Sequence, residues 1–427
     1  MTARPRIVVL YDLGSTGPTE IVRGVTAVGD PVFVLGDSAH AREQGPLFAD
    51  CGPTVPAGEP AALAATVRAG GPVAGVVTFS ERMLGPGAAL AAELGCAFHD
   101  PGTAVRLTDK DAQRRALAAV APVRSVRVSR PSEVDAALAV VGLPAVLKPT
   151  VGEGSRHTYR ITAAERGRAL VAELTAAAPD LSFQLEELLA GRPDPPVADY
   201  VSVESLAAGG RFRHLAVTGK FPLVAPFREP GQFWPATLEP GEHAAVLDVV
   251  DRALAALGVT DGCTHTEVKL TPAGPRIIEV NGRIGGFIVE LARRCAGVDL
   301  VELATRAAVG APVPWPGPPA APPYHFQFHS LGPPEAVALE AVEGARAARR
   351  VPGVAAYRPL LRAPGALTAG VSTQELDLLS VVAPDLPGAY AVIRAAAAEL
   401  AFTFRMPGRE LRRYRGTELP SASVLPG

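Results

Sequence analysis

The sequence predicts an α/β protein, and three features along the chain carry that reading. The first hundred residues alternate short β-branched runs with Ala-rich stretches of helical length, the pattern of a parallel sheet covered by helices. From about residue 104 this gives way to helices mixed with alternating, hairpin-forming strands. A Pro-rich stretch, APVPWPGPPAAPP at 311–323, is too stiff and donor-poor for helix or strand, and the residues after it read as a smaller α+β unit. The boundaries expected are 1–105, 106–310 and 311–427.

In the first unit RIVVLY (6–11), PVFVLG (31–36) and AGVVTF (74–79) read as buried parallel strands, with helices at 17–28, 60–69 and 84–95. That is a Rossmann-like arrangement. Its turn Gly14-Ser15-Thr16-Gly17 can cradle a phosphate at a helix N-terminus, but without GxGxxG spacing an ordinary βα turn explains it as well. The second unit opens with a helix at 108–120, then SVRV, a helix at 132–142 and the strand PAVLKP (144–149). A glycine-containing loop at 150–158 leads to a helix through 163–177 and strands at 182–188, 199–207 and 211–219. A long loop to about 239, a helix at 241–257, a hairpin at 262–281 and a helix at 286–296 complete it.

Composition narrows the function. The 427 residues are 48% hydrophobic and 20% charged, enough to fill sizeable cores. Net charge is −2 with no basic block, which argues against nucleic acid or anionic membrane as a partner. The four Cys lie far apart with no CxxC pair, so neither a disulfide framework nor a zinc site is expected. The N-terminal apolar run is too short for a signal peptide and no stretch reads as a membrane span, so a soluble cytoplasmic protein is expected. Of 41 basic residues only four are Lys (110, 148, 220 and 269), and Asn occurs once, at 281. Where Arg has replaced Lys so widely, the survivors mark places that need a compact ammonium.

The hairpin is the most informative segment. HTEVKL (265–270) and RIIEVN (276–281) flank Thr271–Pro275. With that pentapeptide as the loop, Leu270 faces Arg276, Glu267 faces Glu279 and His265 faces Asn281, with the polar residues on one face. Two opposed carboxylates repel unless a cation lies between them, and Glu267, Glu279 and Asn281 offer the oxygens that Mg²⁺ takes alongside phosphates. The competing reading is a solvated polar face. Next, Gly282-Arg283-Ile284-Gly285-Gly286 opens a helix, where Arg283 can hold a γ-phosphate or an oxyanion, or simply be a surface Arg at a helix start. Lys148 ends a buried strand before the glycine-containing loop, and Lys110 stands at a helix start, unfavourable unless an anion is near. FQLEELLAG (183–191) can offer backbone groups to an adenine, though a buried strand end reads the same way.

In this order the segments FSE (79–81), TDKDAQRRAL, LKPTVGEGS, LEELLAG, DYVSVES, TGKFPL, PFREPGQFWP, HTEVKL and IIEVNGRIGG resemble the ATP-grasp superfamily, specifically its carboxylate–amine ligases that include the L-amino-acid (dipeptide) ligases. The resemblance runs from roughly 75 to 310 and implies an ATP-grasp domain whose small lid subdomain, about 120–190, closes over nucleotide. It implies that Lys110 and Lys148 grip ATP phosphates and that Glu186 and Leu188 form the adenine hinge. Gly154, Ser155, Glu187 and Lys220 complete the expected nucleotide set. Glu267, Glu279 and Asn281 match the ligands of Mg²⁺ (or Mn²⁺), and Arg283 matches the arginine of the acyl-phosphate chemistry. Glu81 matches an acid near a substrate amino group, Phe287 falls where a side chain sets pocket size, and Arg228, His265 and Gly286 complete the expected substrate set. Glu153 and His157 depart from the usual small, neutral loop, and the insert 192–198 separates the hinge from DYVSVES. The activity implied is ATP-dependent joining of a small carboxylic acid or amino acid to an amine, with a homodimer as the default assembly. The alternatives are an ATP-grasp carboxylase that activates bicarbonate and a nucleotide-binding protein without catalysis.

Overall fold

The computed structural model describes residues 4–193, 197–315, 317, 323–367 and 372–426. The Pro-rich stretch therefore falls partly outside the described residues, at 316 and 318–322.

The N-terminal segment forms a parallel sheet in the order β3-β2-β1-β4, with β1 Arg6–Tyr11, β2 Asp30–Leu35, β3 Thr54–Pro56 and β4 Gly75–Thr78. Helices cover both faces, so β1 reads as an unbroken apolar run rather than an alternation. Helix Ala39–Ala49 was not legible in the sequence. It carries Pro46, buries only Ala41 and Phe48, and starts on Ser38, whose side chain accepts from the Ala41 amide.

A second sheet, in the order β5-β8-β6-β7, uses β5 Ser125–Val128, β6 Ala145–Pro149, β7 Tyr159–Ile161 and β8 Phe183–Glu187. With helices Val134–Val141 and Ala164–Ala177 it builds its own small core around Leu147, Leu170 and Phe183.

The largest sheet has eight strands, in the order β13-β12-β9-β10-β11-β14-β18-β16. Its members are β9 Tyr200–Ala208, β10 Arg211–Lys220, β11 Gly231–Trp234, β12 Gly262–Thr271, β13 Gly274–Asn281, β14 Tyr324–Phe328, β16 Val354–Pro359 and β18 Asp377–Ala383. Four further strands, β15 Ala338–Glu343, β17 Gly365–Ala366, β19 Ala401–Arg405 and β20 Leu411–Arg415, make a fourth sheet. Two features position the site. Strand β11 lies inside the expected long loop, hidden in the sequence because it is four residues between Pro230 and Pro235. Strand β14, beyond the Pro-rich stretch, pairs with β11 from Gly231↔Phe328 to Trp234↔His325, so the C-terminal segment extends the same sheet. No helix among the described residues is long and apolar enough to cross a membrane.

Candidate active site

The hairpin places its carboxylates as expected by a different route. Its turn is tighter than the expected pentapeptide: Gly274, at φ +107°, pairs with Thr271, and the Thr271 hydroxyl donates to the Gly274 carbonyl at 2.7 Å. Leu270 accordingly faces Pro275 and Lys269 faces Arg276, one step off the expected register. A bulge at Ile278 absorbs that step, so Glu267 still faces Glu279 and His265 still faces Asn281.

Cations from other elements meet Glu279 and Glu186. Lys110 opens helix Lys110–Leu117; its Nζ lies 3.0 Å from Glu279 Oε1 and donates to the Gly152 carbonyl at 2.8 Å. Lys148, near the end of β6, lies 3.0 Å from Glu186 Oε2. Arg114 grips the same Glu186 with two hydrogen bonds of 2.8 and 2.9 Å. Burial alone would raise the Glu186 pKa, but Arg114 and Lys148 outweigh it and hold the carboxyl at about 2. Glu186 thus anchors Lys148 through its side chain. Glu187 turns outward to Arg124 and Arg276, at 2.8 and 3.0 Å, and the Leu188 amide donates to the Pro144 carbonyl at 3.3 Å.

Glu267 is held from behind. Buried Glu204, on β9, accepts from His265 Nδ1 at 2.5 Å and from the Gly285 amide at 2.9 Å, while His265 Nε2 lies 3.7 Å from Glu267 Oε1. Burial would lower the His265 pKa, yet Glu204 and then Glu267 raise it to about 9. A Cβ on Gly285 would stand 2.5 Å from His265 Nδ1, which explains the glycine there. Arg283 Nη2 lies 3.3 Å from Glu81 Oε2. Burial first, and Glu279 further, push Glu81 up to about 7 against the pull of Arg283. The Ser15 hydroxyl donates to the Ile284 carbonyl at 2.5 Å, so the Gly14–Gly17 turn braces this loop as a packing contact.

The remaining expected residues fall on two sides. Lys220 is 2% exposed, with Nζ 2.5 Å from Glu229 Oε1 and 3.0 Å from Gln232 Oε1. Gln232 in turn donates to the Gly286 carbonyl at 2.7 Å and to Gln327 Oε1 at 3.1 Å. Lys220 therefore supports the Gly286–Phe287 turn. Arg228, next to Glu229, donates to the Gly332 carbonyl at 2.8 Å in a separate small cavity. In the glycine-containing loop Gly154, Ser155 and His157 all have positive φ, of 62°, 55° and 54°. Glu153 there meets Arg82 at 3.0 Å, and the Gly154 carbonyl accepts from the Thr373 amide at 2.9 Å.

Sequence reading missed Arg114, Glu204, Glu229, Gln232 and Gln327. Arg114 carried a signal, being four residues after Lys110 on the same helical face. Glu204, Gln232 and Gln327 depend on strand pairing across the large sheet, and Glu229 lies in the loop just before β11.

No group of three or more His, Cys, Asp or Glu among the described residues is placed to hold a metal by itself. Two opposed carboxylates, Glu267 and Glu279, with the Asn281 amide two residues along the same strand, offer oxygen ligands that fit a hard divalent cation taking its other ligands from phosphates.

The architecture matches that of an L-amino acid ligase from Bacillus licheniformis with a TM-score of 0.77, over 94% of this chain and 98% of that one, at 16% identity. The chain has the ATP-grasp fold. In sequence the chain is 30% identical over 250 residues to an uncharacterized protein y4rH of Sinorhizobium fredii, covering 56% of the chain and 49% of the relative. It is 27% identical over 249 residues to alanine–anticapsin ligase of Bacillus subtilis, covering 53% and 52%. The chain thus spans about half the length of the curated relatives it matches. No family model matches.

Proposed function

We propose that the protein is an ADP-forming carboxylate–amine ligase that activates a small carboxylic acid or amino acid with ATP and joins it to an amine. The observation that carries this reading is the convergence of Lys110, Glu279, Glu81 and Arg283: Glu81 feels both Glu279 and Arg283, and Lys110 touches Glu279. In this reading the phosphate grip, the metal set and the substrate acid would lie beside one another, which these contacts support.

In this reading Glu267, Glu279 and Asn281 would hold Mg²⁺ (or Mn²⁺), which when bound neutralises charge on the phosphates. Lys110 and Lys148 sit on carboxylates and would exchange or share those partners with the nucleotide, as compact ammonium groups can. The backbone after Glu186 offers the adenine hinge. The substrate carboxylate attacks the γ-phosphate and yields an acyl phosphate; the amine then attacks its carbonyl carbon and phosphate leaves. In this reading Arg283 would stabilise the developing oxyanion. Glu81 accepts from the amino group of an amino-acid substrate. No protein nucleophile is required, and water must be kept out because it would hydrolyse the acyl phosphate.

A screen of ADP release across amino acids, simple amines, small acids and bicarbonate tests the proposal. Release that needs both a carboxylate and an amine supports it. Release driven by bicarbonate alone would point to a carboxylase instead.

A further inference from the structure

Strand β14 enters the site from the C-terminal segment and grips the turn at Phe287 in two ways. Gln327 is fully buried and donates through Nε2 to the Phe287 carbonyl at 3.1 Å. His329, two residues on, packs its ring against the Phe287 ring at a centroid distance of 4.6 Å. Phe287 itself has φ +62°, a strained conformation for a bulky residue, and it persists because its surroundings hold it. The tie through Gln327 and the tie from Gln232 to Gly286 are those surroundings. Gln327 is a positioning residue.

His329 carries more. It is 3% exposed, and its Nδ1 lies 2.7 Å from the Asp377 carbonyl, which can only accept, so Nδ1 bears the proton. Nε2 is then a lone-pair acceptor, and it has no hydrogen-bond partner among the described residues. Burial holds the imidazole pKa down at about 4, with the Asp377 carbonyl opposing and Arg358 and Lys220 assisting, so the acceptor persists at neutral pH.

We infer that His329 is a substrate-binding residue whose Nε2 accepts a hydrogen bond from a side-chain hydroxyl or N–H of the amino-acid substrate lying against Phe287. This rests on the ligase reading above, in which the Phe287 turn lines the substrate pocket. It makes the C-terminal segment, through β14, a determinant of specificity.

The test uses the full chain and amino acids in near-isosteric pairs: Thr against Val, Ser against Ala, Tyr against Phe. ADP release gives kcat/KM for each. Two variants separate packing from hydrogen bonding. H329F keeps a ring against Phe287 and loses the acceptor; H329N keeps a donor to the Asp377 carbonyl, and its remaining acceptor, Oδ1, is too short to reach the position of Nε2. The parent should favour the donor-bearing member of at least one pair, and both variants should cut that ratio about threefold to tenfold, the size of one hydrogen bond, with the ATP KM unchanged. A ratio unchanged in whichever variant folds, or a parent without any such preference, overturns the assignment. A parent whose ADP release ignores amino acids altogether contradicts the ligase reading, and this inference with it.

Discussion

Lys110 and Glu279 form an ion pair of 3.0 Å between the start of a helix and the hairpin strand that carries two of the three expected metal ligands. Glu279 and then Glu81 raise the Lys110 pKa against the effect of burial, so the ammonium stays charged where a lone lysine would not. Removing it, as in Lys110→Met, leaves Glu279 without its partner. Breaking a buried pair from one side costs about 3–5 kcal/mol, an upper figure here because Glu279 is partly exposed. The expected outcome is a lower melting temperature that Mg²⁺ partly restores, measured by thermal melts with and without the ion. A melting temperature equal to the parent's would show the pair to be idle.

Lys148→Arg should not behave as a conservative change. Glu186 already holds the Arg114 fork through both oxygens, leaving little room for a second planar guanidinium. The ATP KM should rise about tenfold, equivalent to losing one charged contact of roughly 1.5–3 kcal/mol. Kinetics in ATP that match the parent enzyme would remove Lys148 from the nucleotide site.

Gln184 stands opposite Lys148 on β8, fully buried, with neither amide atom hydrogen-bonded. Leaving such a group unmade costs about 1–3 kcal/mol. Gln184→Met, similar in volume, should raise the free energy of unfolding by about 1–3 kcal/mol, seen as a higher urea midpoint. A lowered midpoint would mean the amide is satisfied by something else.

Phe287→Ala should re-rank substrates rather than destabilise the fold. Phe287 is only partly buried and takes a strained backbone, so the 3–5 kcal/mol loss typical of a deleted core ring is not expected. Bulkier acids should gain relative to small ones in kcat/KM. An unchanged ranking with a clearly lower melting temperature would place the ring in the core.

Acid should weaken the fold in a defined window. Burial depresses the His99 pKa to about 4, below its ordinary 6.5, so the unfolded chain binds the extra proton first. Stability from this group is therefore full above about pH 6.5 and falls as pH drops toward 4, by up to about 3 kcal/mol. His99→Gln should flatten that slope in denaturation curves at pH 7 and 4.5. A slope as steep as the parent's would rule His99 out as its source.

Much of the fold was legible because each signal was local. β1 and its partners announce themselves by apolar runs, and the opposed Glu267 and Glu279 by alternation around a turn. The register between them came out right although the turn was misjudged, since the bulge at Ile278 cancels a one-residue error that spacing cannot reveal. What stayed hidden is long-range. Gln232 and Gln327 face each other across β11 and β14, 95 residues apart, and neither has a local pattern to mark it. Lys220 stands out in the sequence by rarity, but only the fold shows that it pairs with Glu229 and Gln232.

The central claim is that a substrate carboxylate takes the γ-phosphate of ATP. The direct measurement supplies the protein with ATP, Mg²⁺ and a pool of the twenty amino acids labelled with ¹⁸O in their carboxylates, then analyses the released phosphate by mass. The account predicts one ¹⁸O in each phosphate, carried over when the acyl phosphate breaks. Sustained ADP formation with unlabelled phosphate would contradict it.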